Sequence, residues 1–124
     1  MSRILIIDDN ATILENTADL LELEGYETFT ASNGRDGLKK AQKYIPDLIL
    51  CDLRMPEMDG FTVLKRLGDN PDLKRIPFVF FSAKCEKSDI KMGLGCGADD
   101  YLTKPFELES LLKSIEKCLL KKIH

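Results

Sequence analysis

The sequence predicts a doubly wound α/β domain, a sheet of five parallel strands covered by helices on both faces, and three observations predict it. Ile4-Leu5-Ile6-Ile7, Leu48-Ile49-Leu50-Cys51 and Phe78-Val79-Phe80-Phe81 are apolar runs of strand length with no polar alternation, the pattern of strands buried on both faces. Between them, apolar residues return at three- and four-residue steps, the period of amphipathic helices. Each pair of runs is joined by enough chain for a helix rather than a hairpin turn, so the strands run parallel through right-handed crossovers.

The first run is followed by Asn10, an N-cap candidate, and by Ile13, Leu14, Thr17, Leu20 and Leu21 at helical spacing until Gly25 stops the helix. Tyr26 to Ala31 interleaves Thr and Glu with Tyr and Phe and reads as a more exposed strand. Leu38, Ala41 and Ile45 mark a second helix, ended by Pro46, and Phe61, Leu64 and Leu67 mark a third. A fourth, roughly Lys87 to Cys96, carries Gly93 and Gly95, each costing about 1 kcal/mol relative to alanine. Two readings stand: close packing that only glycine permits, which is favoured, or a helix kept marginal so that it can shift. Asp100 to Thr103 is a weaker fifth strand. In the last helix Leu108, Leu111, Leu112, Ile115, Cys118 and Leu119 share one face, with Glu107 and Glu109 at its start and Lys121 and Lys122 at its end, as the macrodipole favours. Five strands alternating with five helices suit the flavodoxin-like order 2-1-3-4-5.

A length of 124 residues fits one domain, residues 1–124, and is short for two. With 44% hydrophobic and 31% charged residues, a packed core is expected rather than disorder. The net charge of -3, with Lys and Arg scattered, argues against nucleic acid as a direct partner. No apolar run approaches the roughly 18 residues of a membrane span. Asp8 and Asp9 interrupt the start before a signal-peptide core develops, so a cytoplasmic location without membrane insertion is expected. Cys51, Cys85, Cys96 and Cys118 show no C-x-x-C pairing, and the sole histidine is His124; thiols in a reducing compartment are expected, not a zinc site or a disulfide.

In such sheets ligands bind beyond the carboxyl ends of the strands, where the winding reverses. There stand Asp8 and Asp9, Asp52, Ser82 and Ala83, and Lys104-Pro105, each group following a different strand. Carboxylates brought that close repel one another, which calls for a cation nearby or a strongly raised pKa. Magnesium binds through one or two carboxylates, keeps several waters and accompanies phosphate oxygens. Asp52 can then act as the nucleophile of an aspartyl phosphate, Lys104 can neutralise a phosphoryl oxygen, and Ser82 can hydrogen-bond another. Taken singly, each feature has an ordinary explanation: paired acids cap a helix, a lone Asp is solvated, a Lys-Pro step is a turn. Turn chemistry alone has difficulty placing all of them at the ends of four strands.

Three blocks, Ile4-Leu5-Ile6-Ile7-Asp8-Asp9-Asn10, Asp47-Leu48-Ile49-Leu50-Cys51-Asp52-Leu53-Arg54-Met55-Pro56 and Gly97-Ala98-Asp99-Asp100-Tyr101-Leu102-Thr103-Lys104-Pro105-Phe106, resemble the response-regulator receiver family of two-component signalling, CheY-like in organisation. The resemblance spans essentially the whole chain. It implies that Asp52 receives a phosphoryl group from a histidine of a sensor kinase or phosphotransfer protein, with Mg2+ as cofactor. Asp9 and Asp52 would ligate the metal directly, the backbone carbonyl of Arg54 would be a third ligand, and Asp8 would act mainly through coordinated water. A cis Lys104-Pro105 bond is implied against its low base rate. So is a switch in which Tyr101 moves inward as Ser82 engages the phosphoryl group, so that the fourth helix, fifth strand and last helix control a downstream protein target.

Arg54 and Lys84, two residues beyond Asp52 and Ser82, match positions that in the family flank the attacking water; solvent-pointing side chains are slightly favoured over an effect on phosphoryl lifetime. The protein so implied is a signalling switch, not an enzyme, and catalyses only its own phosphorylation and dephosphorylation. A magnesium-dependent phosphatase resembling haloacid-dehalogenase enzymes fits less well, because Asp52-Leu53-Arg54 lacks the second acid of D-x-D and little chain is left for a cap. A flavin carrier of the same fold fits less well too, since Asp8 and Asp9 would repel the cofactor phosphate.

Overall fold

A computed structural model of the chain describes residues 2–83, 91, 92 and 94–123, with the backbone alone for 121–123. The apolar runs form strands β1 (Arg3–Ile7), β3 (Leu48–Asp52) and β4 (Phe78–Ser82), joined by β2 (Glu27–Ala31) and β5 (Asp100–Thr103). All pair in parallel, in the predicted order β2-β1-β3-β4-β5. The helices are α1 (Ala11–Leu23), α2 (Gly34–Tyr44), α3 (Gly60–Gly68) and α4 (Leu108–Ile123). Of the further helix expected over Lys87 to Cys96, residues 91, 92, 94 and 95 are helical, while 87–90 and 93 lie outside the described residues.

The unalternating strands divide their side chains between two cores. Leu5, Ile7, Ile49, Cys51, Phe78 and Phe80 pack with Ala41 of α2 and with Val63 and Leu67 of α3. Ile4, Ile6, Leu48, Leu50, Val79 and Phe81 pack with Leu14, Ala18 and Leu21 of α1 and with Leu111, Ile115 and Cys118 of α4. This is the period-two division of a sheet covered on both faces.

The helix boundaries follow from local chemistry. Asn10, Asn33 and Asp59 cap α1, α2 and α3, each side chain accepting from a backbone N–H three residues on, at 3.1, 2.8 and 2.9 Å. Helix α1 ends as the sequence predicts: Gly25 takes φ +93°, its N–H donates to the Glu22 carbonyl and that of Tyr26 to the Leu21 carbonyl.

Two expectations are corrected. Ile45 is not on the buried face of α2; it lies beyond the helix with φ +46° and is 46% exposed, because a residue before proline is excluded from the helical region. At Gly95, nothing among the described residues lies within 4 Å of where a Cβ would stand, so the close-packing reading fails there. Gly93 and Lys84 lie outside the described residues.

Candidate functional site

The chain delivers the site residues to one rim by ending its strands there. Asp8 follows β1 directly, its N–H still bonded to the Ala31 carbonyl of β2 at 3.1 Å. Asp52 and Ser82 are the last residues of β3 and β4, paired with Phe81 and Thr103. The Lys104 N–H donates to the Ser82 carbonyl at 2.8 Å, continuing the ladder past β5, and the Lys104–Pro105 peptide is cis, as the resemblance implies.

Beneath the rim, Gly60 lets α3 start against the strand end. A Cβ there would stand 2.6 Å from the Asp52 carbonyl oxygen and 2.8 Å from the Phe80 ring, and the Gly60 N–H donates to the Leu53 carbonyl at 2.9 Å. The sequence marks this place by a capping Asp59 immediately before the glycine.

Asp8, Asp9 and Asp52 each offer a carboxylate oxygen, and these oxygens lie within 4.8 Å of one another. Asp8 is fully buried, Asp52 is 6% exposed and Asp9 is exposed. The Lys104 Nζ reaches both buried acids, 2.6 Å from Asp8 Oδ2 and 3.5 Å from Asp52 Oδ2. Asp8 also accepts from the Asn10 N–H at 2.9 Å, a contact that fixes its second oxygen and that sequence reasoning did not find.

Burial pushes the Asp52 carboxyl up to about 6. Lys104 and the Arg54 N–H, 3.4 Å from Oδ1, pull the other way, whereas Asp8 and Asp9 push it further up. A cavity of about 470 Å³ opens over Asp8, Asp9, Asp52, Arg54, Ser82 and Lys104. An all-oxygen donor set with surplus negative charge fits a hard divalent ion such as Mg2+, and its chemistry does not suit a soft metal.

The structure therefore brings together six of the residues singled out. Tyr101 is not among those lining the cavity; it is half-buried on β5, its ring 6.0 Å from that of Phe80. Arg54 is exposed at the cavity edge.

With this geometry in place, residues 4–116 match the family model of the response regulator receiver domain. The chain belongs to that family. It is 38% identical over 119 residues to the protein PilH of Pseudomonas aeruginosa, covering 96% of this chain and 98% of that one. It is 40% identical over 116 residues to the alkaline phosphatase synthesis transcriptional regulatory protein PhoP of Bacillus subtilis, covering 91% of this chain but 48% of that one. The chain thus spans nearly all of one of these relatives and about half of the other.

Among solved structures, the Vibrio cholerae chemotaxis protein CheY4 superposes with a TM-score of 0.90 at 34% identity, covering 95% of this chain and 98% of that one. A putative response regulator from Chloroflexus aurantiacus gives 0.91 at 34%, covering 96% and 98%. Receiver domains are signalling switches rather than enzymes working on an external substrate. Among the described residues no helix is long and apolar enough to cross a membrane.

Proposed function

We propose that this receiver is a cytoplasmic phosphoacceptor switch in which Asp52 takes a phosphoryl group from a phosphohistidine of a sensor kinase or phosphotransfer protein. The observation that carries the reading is a buried Asp52 carboxylate beside one ammonium and two further carboxylates. An Asp52 oxygen attacks phosphorus while the phosphorus–nitrogen bond to the donor histidine breaks; the imidazole leaves with that electron pair and takes a proton from solvent. Asp9, Asp52 and the backbone carbonyl of Arg54 would hold Mg2+, with Asp8 acting through coordinated water. The ion would supply neutralisation of the charge that spreads over the phosphoryl oxygens in transfer.

Lys104, now paired with Asp8, turns its ammonium to one phosphoryl oxygen, and the buried Ser82 hydroxyl donates to another. That engagement draws Tyr101 inward and alters the surface of the predicted fourth helix, β5 and α4, which controls a downstream protein target with no direct contact to nucleic acid and no membrane insertion.

The test is intact mass after incubation with acetyl phosphate and Mg2+. The wild type gains one phosphoryl group that hydroxylamine removes, and Asp52→Asn gains none. Uptake by Asp52→Asn equal to that of the wild type would sink the assignment.

A further inference from the structure

Lys104 has a neighbour that the phosphoryl chemistry does not require. Its Nζ lies 4.5 Å from the centroid of the Phe81 ring, within the range where an ammonium is attracted to the negative face of an aromatic ring. The Lys104 side chain is 11% exposed, so little water competes for that charge. Phe81 itself is fully buried, paired through its backbone with Asp52 and Leu102, and its ring packs at 6.1 Å against that of Phe106. The sheet on both sides and a second aromatic ring thus fix the Phe81 face in place.

We infer that Phe81 is a positioning residue that seats the Lys104 ammonium and holds it in reach of Asp52 while its anionic partners change. The inference rests on the phosphoacceptor reading. During transfer the Asp52 carboxylate becomes an acyl phosphate, and the ammonium, 2.6 Å from Asp8 Oδ2 and 3.5 Å from Asp52 Oδ2, must turn a donor from the Asp52 oxygen to a phosphoryl oxygen. The Asp52 carboxylate cannot hold the ammonium unchanged through that exchange. The ring can, because its potential is unchanged by the reaction and tolerates sliding of the cation across its face.

The experiment replaces Phe81 with 4-fluoro-, 3,5-difluoro- and 3,4,5-trifluorophenylalanine, which withdraw ring electron density stepwise at nearly constant shape. The initial rate of Asp52 phosphorylation by acetyl phosphate at saturating Mg2+ is expected to fall stepwise, about three- to tenfold across the series, with thermal melting retained. Independently of any reaction, the ring current should shift the Lys104 ε-methylene protons upfield in NMR spectra of the wild type, and Phe81→Leu should abolish the shift.

A rate that stays flat across the series while the wild type is phosphorylated overturns the inference, because a role in packing alone is indifferent to fluorination. Ordinary Lys104 ε-methylene shifts in the wild type overturn it as well. A wild type that takes up no phosphoryl group overturns the phosphoacceptor reading and the positioning role with it, a failure told apart by an upfield shift that persists.

Discussion

Aspartates stand at both ends of the sheet and are treated in opposite ways. At the amino ends, Asp47 accepts from the Arg3 N–H at 2.7 Å, and Asp99 accepts from the Phe78 N–H at 2.8 Å while returning its own N–H to the Phe78 carbonyl at 2.8 Å. Asp100 accepts from the Ser114 hydroxyl at 2.6 Å, the Tyr101 N–H at 2.9 Å and Lys117 at 3.2 Å. Burial by itself would raise its pKa, but these donors, Ser114 foremost, hold the carboxyl below its ordinary value. At the carboxyl ends burial lifts Asp52 to about 6 and neighbouring acids add to the lift. One set of acids stitches strands and helices together; the other is left in want of positive charge. That want is what a cation can relieve.

Four measurements sharpen or break this contrast. The largest effect should come from Mg2+: at about 100 times its Kd the ion should raise the unfolding free energy by about 2.7 kcal/mol, seen as a higher urea midpoint. The shift should shrink as pH falls through about 6, since Asp52 must lose its proton to ligate. If a double variant, Asp9→Ala with Asp52→Asn, kept the whole shift, the ion would have to bind elsewhere.

Next, Asp99→Ala should cost about 2 kcal/mol in urea denaturation, because the N–H of fully buried Phe78 loses its acceptor. An unchanged midpoint would show that the amino-end acids do not hold the strands.

Asp52→Asn should instead stabilise the metal-free protein at pH 8, by on the order of 1 kcal/mol. The sign follows from linkage: the folded carboxyl binds its proton more tightly than the unfolded one, so the wild type loses stability as pH rises from the unfolded value of 3.8 through about 6. The gain should be full above that window and absent below it. Destabilisation at pH 8 would contradict the burial argument.

The smallest effect belongs to Asp100→Asn, a loss of a few tenths of a kcal/mol, since the group is partly solvated. Its folded pKa is depressed, so the loss should be present above pH 3.8 and vanish as pH falls through the folded value. A loss independent of pH would mean that the hydrogen-bond geometry, not the charge, is what matters.

Much of this was legible in the sequence, because burial on two faces and helical periodicity are properties of residue order. The strand order and the gathering of Asp8, Asp9, Asp52, Ser82 and Lys104 on one rim follow from the apolar runs and from what stands after them. Periodicity does not register backbone conformation: Ile45 falls at helical spacing, yet the proline after it disfavours the helical region and the residue takes φ +46°. Nor does it register small residues used as contact: Ala18 is a core member of α1 without bulk enough to mark a face. The contact of Phe81 with Lys104 joins residues 23 positions apart, one in β4 and the other just past β5, and a run of four apolar residues gives no hint that one of them carries a charge on its ring.

Asp52 and Ser82 occupy the final paired rungs of β3 and β4, whereas Asp9 and Arg54 sit in the loops beyond. The rim therefore works like a vise with one fixed jaw. Among the described residues, swelling of the cleft on taking a load is absorbed by the stretches after β1 and β3, and amide hydrogen exchange there should slow most at residues 8–10 and 53–59 when the cleft is filled, leaving the rungs themselves as protected as before.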